Sequence, residues 1–368
     1  SGGPAPVSTH ARRHLSSRAR VLLVSVTSVL VLLAVALLLP VPFVKLAPGP
    51  TFNVIGEHEG QPVIKISGTT TYPVTGELDM TTVLESGGPR GGLTFVDAVA
   101  SWFSSSNAVL PRELMYPDDV TGTEVKAKQT ALFSTAESNA TAAALRYLKM
   151  PISTKIVVSA VWADSPADGK LEARDEIIDI DGTSITAADQ VRTFVQAKPI
   201  GTEFVIKVLR DTEQGAKNVA VTVTSVANPM DDTKPYIGIS VGEYYSANFP
   251  IAFTLETVGG PSAGLMFTLG LIDKLAPEDL AAGKHIAGTG TIDPEGKVGP
   301  IGGIRQKLAG ARNAGAELFL MPKSHCAEAA GHIPDGLTVT PVESVDEAVA
   351  ALKAWGKGAQ VSSCPISS

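Results

Sequence analysis

A run of nineteen residues, Val21–Leu39, holds no charged side chain and only three hydroxyls, at Ser25, Thr27 and Ser28. As a helix it would extend about 28 Å, close to the hydrocarbon thickness of a bilayer. Arg12, Arg13, Arg18 and Arg20 precede it, whereas Lys45 is the only nearby basic residue after it. Positive charge stays on the cytoplasmic side, so the pattern predicts a cytoplasmic N-terminus, with everything beyond Pro40 outside. Ala34-Val35-Ala36 has the small–x–small form of a signal-cleavage site. That triplet lies inside the run, not after it, and the run exceeds the roughly 7–15 residues of a signal-peptide core. The expectation is an uncleaved, single-pass anchor in cell-membrane lipid.

The 368 residues leave room for two or three domains, and with 44% hydrophobic and 18% charged residues a sizeable core can form. A net charge of -7 excludes a nucleic-acid partner, because phosphate binding needs a basic patch. A single spanning segment excludes a channel or transporter. Cys326 and Cys364 are the only cysteines. In an oxidising space they can pair or remain separate thiols, and spacing alone does not choose. His10 and His14 fall in the cytoplasmic stub and no histidine pair has ligand spacing, so no metal is expected.

Residues 1–20 are Ser/Arg-rich and read as a disordered stub, and residues 21–41 as the membrane helix. Pro40, Pro42, Pro48 and Pro50 predict a stiff, extended exit from the bilayer. Within residues 42–150, Val63–Ile66 and Gly76–Val83 read as strands. Thr94–Phe103 and Ser134–Leu148 read as helices, the second starting at Ser138 or Asn139. Over residues 151–226 the pattern changes. Lys155–Val161 is a strand, Ala163–Gly169 a turn into a short helix, and Glu176–Ile180 a strand closing on an Asp-Gly turn. Ala187–Gln196 reads as a helix, and Phe204–Arg210 with Val219–Thr224 as a hairpin around Gln214-Gly215. Residues 227–356 form the last domain and 357–368 a tail.

Ser165-Pro166-Ala167, Leu171 with Asp175 and Ile177, and Ile180-Asp181-Gly182 ahead of a helix resemble a PDZ domain of the type found on bacterial envelope proteases. Such domains take an extended peptide as an added strand and hold its carboxylate with backbone amides. By that resemblance Ile152, Ser153, Lys155, Ile156 and Val157 supply the carboxylate loop and the binding edge. Met150-Pro151-Ile152-Ser153 stands where a Gly-Leu-Gly-Phe type loop belongs. Peptide binding and a spacer role therefore both stay open.

Thr254–Val258 reads as a strand leading into Gly259-Gly260-Pro261-Ser262-Ala263-Gly264. The following helix, Ala263–Leu275, is apolar all round and must be buried, which fixes Ser262 at the N-terminus of a core element. Unpaired amides and the helix dipole favour negative charge there, and the glycines admit a substrate backbone. Ser262 as a plain N-cap is the competing reading. Lys307 shares a helical face with Ile304, Leu308, Ala311 and Ala314, whereas Arg305, Gln306, Arg312 and Asn313 lie elsewhere. A lysine there either snorkels from the stripe edge or is buried. A general-base lysine must fall from about 10.4 toward 7–8, a drop worth about 4 kcal/mol that burial can supply.

Gly260-Pro261-Ser262-Ala263-Gly264, Thr289-Gly290-Thr291 and the run Gly296–Lys307 together resemble the proteolytic domain of Lon proteases over Pro250–Trp355. The resemblance implies Ser262 as nucleophile, Lys307 as general base and the Thr289 hydroxyl as the group orienting the dyad. Gly260, Pro261, Ala263 and Gly264 would form the oxyanion turn. Gly259 replaces an acidic residue of the family pattern. Glu295-Gly296-Lys297-Val298 fails as a phosphate loop, because Thr291 replaces its first glycine and valine follows the lysine.

The chain as a whole resembles the membrane-anchored, PDZ-containing Lon-type proteases of Gram-positive and actinobacterial envelopes. The implied fold is α+β, a Lon-type domain with an inserted PDZ domain and one transmembrane helix. The implied function is a cofactor-free, ATP-independent serine endopeptidase acting on unfolded or flexible extracytoplasmic polypeptides. The alternative is a non-catalytic PDZ scaffold on a degenerate protease fold. Lon-type domains often form rings, so a homo-oligomer fits the resemblance, although no interface is legible.

Overall fold

The computed structural model describes residues 16–88, 92–116, 122–212, 215–255 and 259–364. Most of the expected N-terminal stub, Gln214 of the hairpin turn and the end of the strand expected at Thr254–Val258 lie outside them. Thr254 and Leu255 are not in a strand; the ladder ends just before them, at Ile251–Phe253.

Helix α1 (Ser17–Leu38) starts earlier and stops sooner than residues 21–41, because its ends are set by capping and not by hydropathy. The Ser16 hydroxyl accepts from the Ala19 amide, and Pro40 stops the helix after Leu39. Pro40–Val41 then pairs with Leu93–Thr94. Strand β1 (Phe43–Asn53) follows, then β2 (Glu77–Ser86), helix α2 (Phe95–Trp102), β3 (Ala108–Pro111) and α3 (Gly122–Tyr147). Next come β4 (Ser153–Val161), β5 (Glu176–Ile180), α4 (Ala188–Gln196), β6 (Glu203–Thr212), β7 (Gly215–Thr224) and β8 (Ile239–Ser246). The chain closes with α5 (Gly264–Leu275), β9 (His285–Gly288), α6 (Ile304–Ala314), β10 (Leu318–Pro322), β11 (Thr338–Val342) and a last helix, Val345–Gly356.

These elements build an α+β fold on two sheets. The first runs β11-β10-β9-β2-β1-β3, parallel from β11 to β2 and antiparallel beyond. Its parallel half is joined by helical crossovers, as parallel pairing requires. The second runs β7-β6-β5-β4-β8. The first sheet therefore draws strands from both sides of the second in sequence.

Four expectations change. Residues 43–53, read as a proline-stiffened exit, form the strand next to the sheet's edge strand β3. Pro48 sits where the β1–β2 register shifts, so the missing amides of Pro48 and Pro50 cost little ladder. Helix α3 begins at Gly122, well before Ser134. Its first half lacks apolar periodicity, but Lys, Ala and Gln favour helix there and the Gln129 carbonyl accepts from Gly260. Ala163–Gly169 forms turns and a bend with no helix, Gly169 taking φ 68°. Finally, the second sheet does not close at residue 226; β8 completes it by pairing with β4 from Ser153 to Val161.

The main core lies between the first sheet and α5. Leu265, Met266, Phe267, Leu269 and Leu271 are fully buried, on every face of that helix. Phe267 meets Phe133 of α3 edge-on, with ring centroids 5.6 Å apart. A second core fills the other sheet around Phe204, Ile206, Ile180 and Val191. Helix α3 touches both bodies: the Ser138 hydroxyl accepts from the Tyr245 amide at 2.7 Å, and Glu137 pairs with Arg174.

Candidate active site

Ser262 occupies a single 3₁₀ turn, Pro261–Ala263, that runs straight into α5. Gly260 enters the turn at φ 90°, a conformation that disfavours any side chain. A Cβ on Gly259 would come within 2.9 Å of the Gln129 side chain. The turn is pinned from the far side as well, since Gly290 donates to the Ser262 carbonyl and Leu265 to the Gly290 carbonyl.

Lys307 reaches the serine from α6, whose N-cap Gly303 is left-handed at φ 71° and packs so tightly on Val83 that a Cβ would clash. Ile304, Leu308 and Ala311 are fully buried on the same helix, and Lys307 is 3% exposed. Its Nζ lies 2.7 Å from Ser262 Oγ and 2.9 Å from Thr289 Oγ1. Thr289, itself fully buried, donates its hydroxyl to the Ser262 carbonyl at 3.2 Å. Burial lowers the Lys307 amine from its usual 10.5 to about 7, so it is largely uncharged in mildly alkaline water. Three residues separated in sequence thus form one contiguous group.

The group opens into a cleft of about 790 Å³. One wall is the β2 segment Thr81–Glu85, and the other is Pro300–Gly303 with the serine turn. Strand β9 pairs with β2 only up to Met80, so beyond that point β2 presents an edge to the cleft. Gly260 and Gly264 shape the turn, but their amides are engaged, by the Gln129 and Pro261 carbonyls respectively, and Pro261 has no amide. Ala263, the remaining residue of the expected oxyanion turn, lies in the same 3₁₀ turn beside Ser262.

The binding edge expected at Ile152, Ser153, Lys155, Ile156 and Val157 is corrected by the sheet order. Strand β4 is interior, paired with β8 on one side and β5 on the other. The open edge is β8, and a cavity of about 260 Å³ separates its first residues from α4, lined by Val191, Val195, Ile237, Ile239 and Val241. The signal was present in Tyr236-Ile237-Gly238-Ile239, an apolar–glycine–apolar loop placed after the hairpin instead of before β4. Cys326 and Cys364 are joined in a disulfide that ties the tail to the β10–β11 connection. One cluster went unseen in the sequence: His285 Nε2 lies 3.0 Å from Asp79 and 3.2 Å from Glu77 across adjacent strands. Those three could hold a cation.

Residues 257–354 match the Lon protease (S16) C-terminal proteolytic domain, and residues 128–223 match the PDZ domain. The chain carries a Lon-type proteolytic domain and a PDZ domain. The Lon-type domain is similar to the mitochondrial Lon protease homolog of Debaryomyces hansenii, 37% identical over 91 residues, which are 24% of this chain and 8% of that protein. It is also similar to the Lon protease of Roseiflexus castenholzii, 44% identical over 69 residues, 19% of this chain and 8% of that one. The chain thus spans less than a tenth of the length of either relative. The PDZ domain is similar to that of an SdrC-like protein from Listeria monocytogenes, at 25% identity over 24% of this chain and 86% of that one, with a TM-score of 0.21. The corresponding Listeria innocua domain is 29% identical, covers 23% of this chain and 90% of its own, and gives a TM-score of 0.20. Among the described residues, one span, Ser17–Val35, is long and apolar enough to cross a membrane, and none of it is buried.

Proposed function

We propose that the chain is a membrane-anchored serine endopeptidase that cleaves unfolded or flexible extracytoplasmic polypeptides without ATP. One observation carries the reading: a buried amine, lowered to about 7, within 2.7 Å of a serine hydroxyl at a core-helix N-terminus. A neutral Lys307 can donate one N–H to Thr289 and turn its lone pair on the Ser262 O–H. As Ser262 Oγ bonds to the substrate carbonyl carbon, the hydroxyl proton passes to Nζ. The resulting ammonium returns that proton to the leaving amine as the peptide bond breaks. Water, deprotonated by the same amine, then hydrolyses the acyl-enzyme.

The oxyanion falls at the serine turn, where the positive end of α5 favours negative charge. The unpaired edge of β2 suits an extended chain, which must be unfolded to lie there as an added strand. In the same reading residues 42–150 and the chain after β8 make one protease body, and the PDZ domain, from about residue 151 through β8, interrupts it. Its α4–β8 groove would take an extended peptide, the free carboxyl end of a clipped chain being the suited form. The arginines before the apolar run Val21–Leu39 support a cytoplasmic N-terminus, and the failed phosphate loop supports independence from ATP.

The test is incubation of the full chain, in detergent or lipid, with an unstructured protein. Cleavage by the wild type with and without ATP, and none by Ser262→Ala or Lys307→Ala, is the expected result. Cleavage persisting in both variants would remove the dyad assignment. No cleavage by wild type, with peptide still bound in the α4–β8 groove, would favour a scaffold.

A further inference from the structure

Helix α2 is built the wrong way round for a core. Phe95, Val96, Val99, Trp102 and the C-cap Phe103 follow at i, i+1, i+4, i+7 and i+8, which places them on one stripe. That stripe faces outward: Trp102 is 64% exposed and Phe103 88%, with Phe95 and Val96 also exposed. The buried face consists of the small residues Ala98 and Ser101. Neighbouring bare aromatic rings of this kind mark a contact surface.

What covers the stripe follows from its attachment. The Phe95 amide donates to the carbonyl of Leu39, the C-cap of α1, at 3.2 Å. Pro40–Val41 pairs with Leu93–Thr94 directly before α2. The Trp102 ring stands edge-on to Phe43, with centroids 6.4 Å apart. Helix α2 is thus locked at the level where the apolar helix ends, which is where Trp and Phe settle between headgroups and acyl chains.

We infer that the Phe95–Phe103 stripe lies in the lipid headgroup region as an interfacial helix and seats the protease body on the bilayer. The inference rests on α1 being a membrane anchor. It also narrows the substrates of the proposed site. Leu46 lines the cleft, and an extended chain from Leu39 to Leu46 spans at most about 24 Å. A cleft held that close to the surface acts on chains that emerge from, or are tethered to, the membrane.

Helix α1 contains no tryptophan, and the chain has only Trp102, Trp162 and Trp355, so tryptophan quenching by lipid probes reads the body and not the anchor. The experiment uses the full chain carrying Trp162→Phe and Trp355→Phe in phosphatidylcholine–phosphatidylglycerol vesicles doped with doxyl lipids. The expected result is quenching of Trp102 several-fold stronger with a shallow doxyl label than with a deep one. Val96→Asp with Phe103→Asp should bring it down to the level of a chain whose only tryptophan is Trp162. If the reporter chain does not fold, the same quantity is the wild-type signal minus that of Trp102→Phe. Unquenched Trp102 in a chain that still floats with vesicles after carbonate washing overturns the seating and leaves the anchor standing. A chain stripped by carbonate overturns both.

Discussion

Replacing Lys307 by methionine should make the protein more stable, by an amount that depends on pH. Burial lowers the amine from 10.5 to about 7. A shift of that size corresponds to about 5 kcal/mol of charge desolvation. Between the two values the unfolded chain binds the proton and the folded chain does not. Stability therefore rises with pH across that window and is lost as pH falls through it toward 7. At pH 7 the lysine costs about 4 kcal/mol, and at pH 9 about 2 kcal/mol. Methionine has a similar shape and no charge, but forfeits the hydrogen bond to Thr289, worth about 1 kcal/mol. The net gain is then about 3 kcal/mol at pH 7 and about 1 kcal/mol at pH 9. The comparison belongs in a Ser262→Ala background, which prevents self-digestion, and is read by urea unfolding followed through tryptophan emission. The pH-dependent difference of about 2 kcal/mol is the diagnostic part, because packing changes cancel from it. A gain equal at both pH values, or a loss at pH 7, would refute the argument that the amine is held neutral by its surroundings.

Under the proposed function the same amine should set the pH profile of cleavage. kcat/KM should rise through a single ionisation near 7, since only the unprotonated lysine accepts the serine proton. Thr289→Val removes both the Nζ acceptor and the bond to the Ser262 carbonyl. It should lower kcat by about 10²-fold, with Thr289→Ser restoring most of the rate and the pH midpoint. The Cys326–Cys364 link closes a separation of 38 residues, so Cys364→Ser should cost up to about 4 kcal/mol, measured as a lowered Tm that matches the reduced wild type. Val191→Glu, in the wall between α4 and β8, should abolish binding of C-terminal peptides by fluorescence polarisation and leave cleavage of short substrates unchanged.

The juxtaposition of Ser262 and Lys307 was legible because each part is written locally. An all-apolar helix must be buried, so the serine before it is fixed; a lysine on the stripe of Ile304, Leu308 and Ala311 either snorkels or is buried, and the structure buries it. Elements that depend on distant pairing were not. Phe43–Asn53 carries three residues that argue against a strand, Pro48, Gly49 and Pro50, and becomes one because β2 and β3 supply partners on both flanks. The interior place of β4 depends on β8, which is separated from it by the whole of the intervening sheet and joins it only in three dimensions. His285, Asp79 and Glu77 meet for the same reason, across strands far apart in sequence. The outward stripe of α2 has the periodicity of a core helix, and its orientation follows from the small residues Ala98 and Ser101 that sit beneath it.

The claim that a neutral Lys307 activates Ser262 is tested most directly by the rate of fluorophosphonate labelling as a function of pH, with the adduct located by mass spectrometry. A single adduct on Ser262, forming faster as pH rises through about 7 and at least 10²-fold slower in Lys307→Ala, is the expected outcome. An adduct on another serine, or labelling of Ser262 in Lys307→Ala at the wild-type rate, would contradict it.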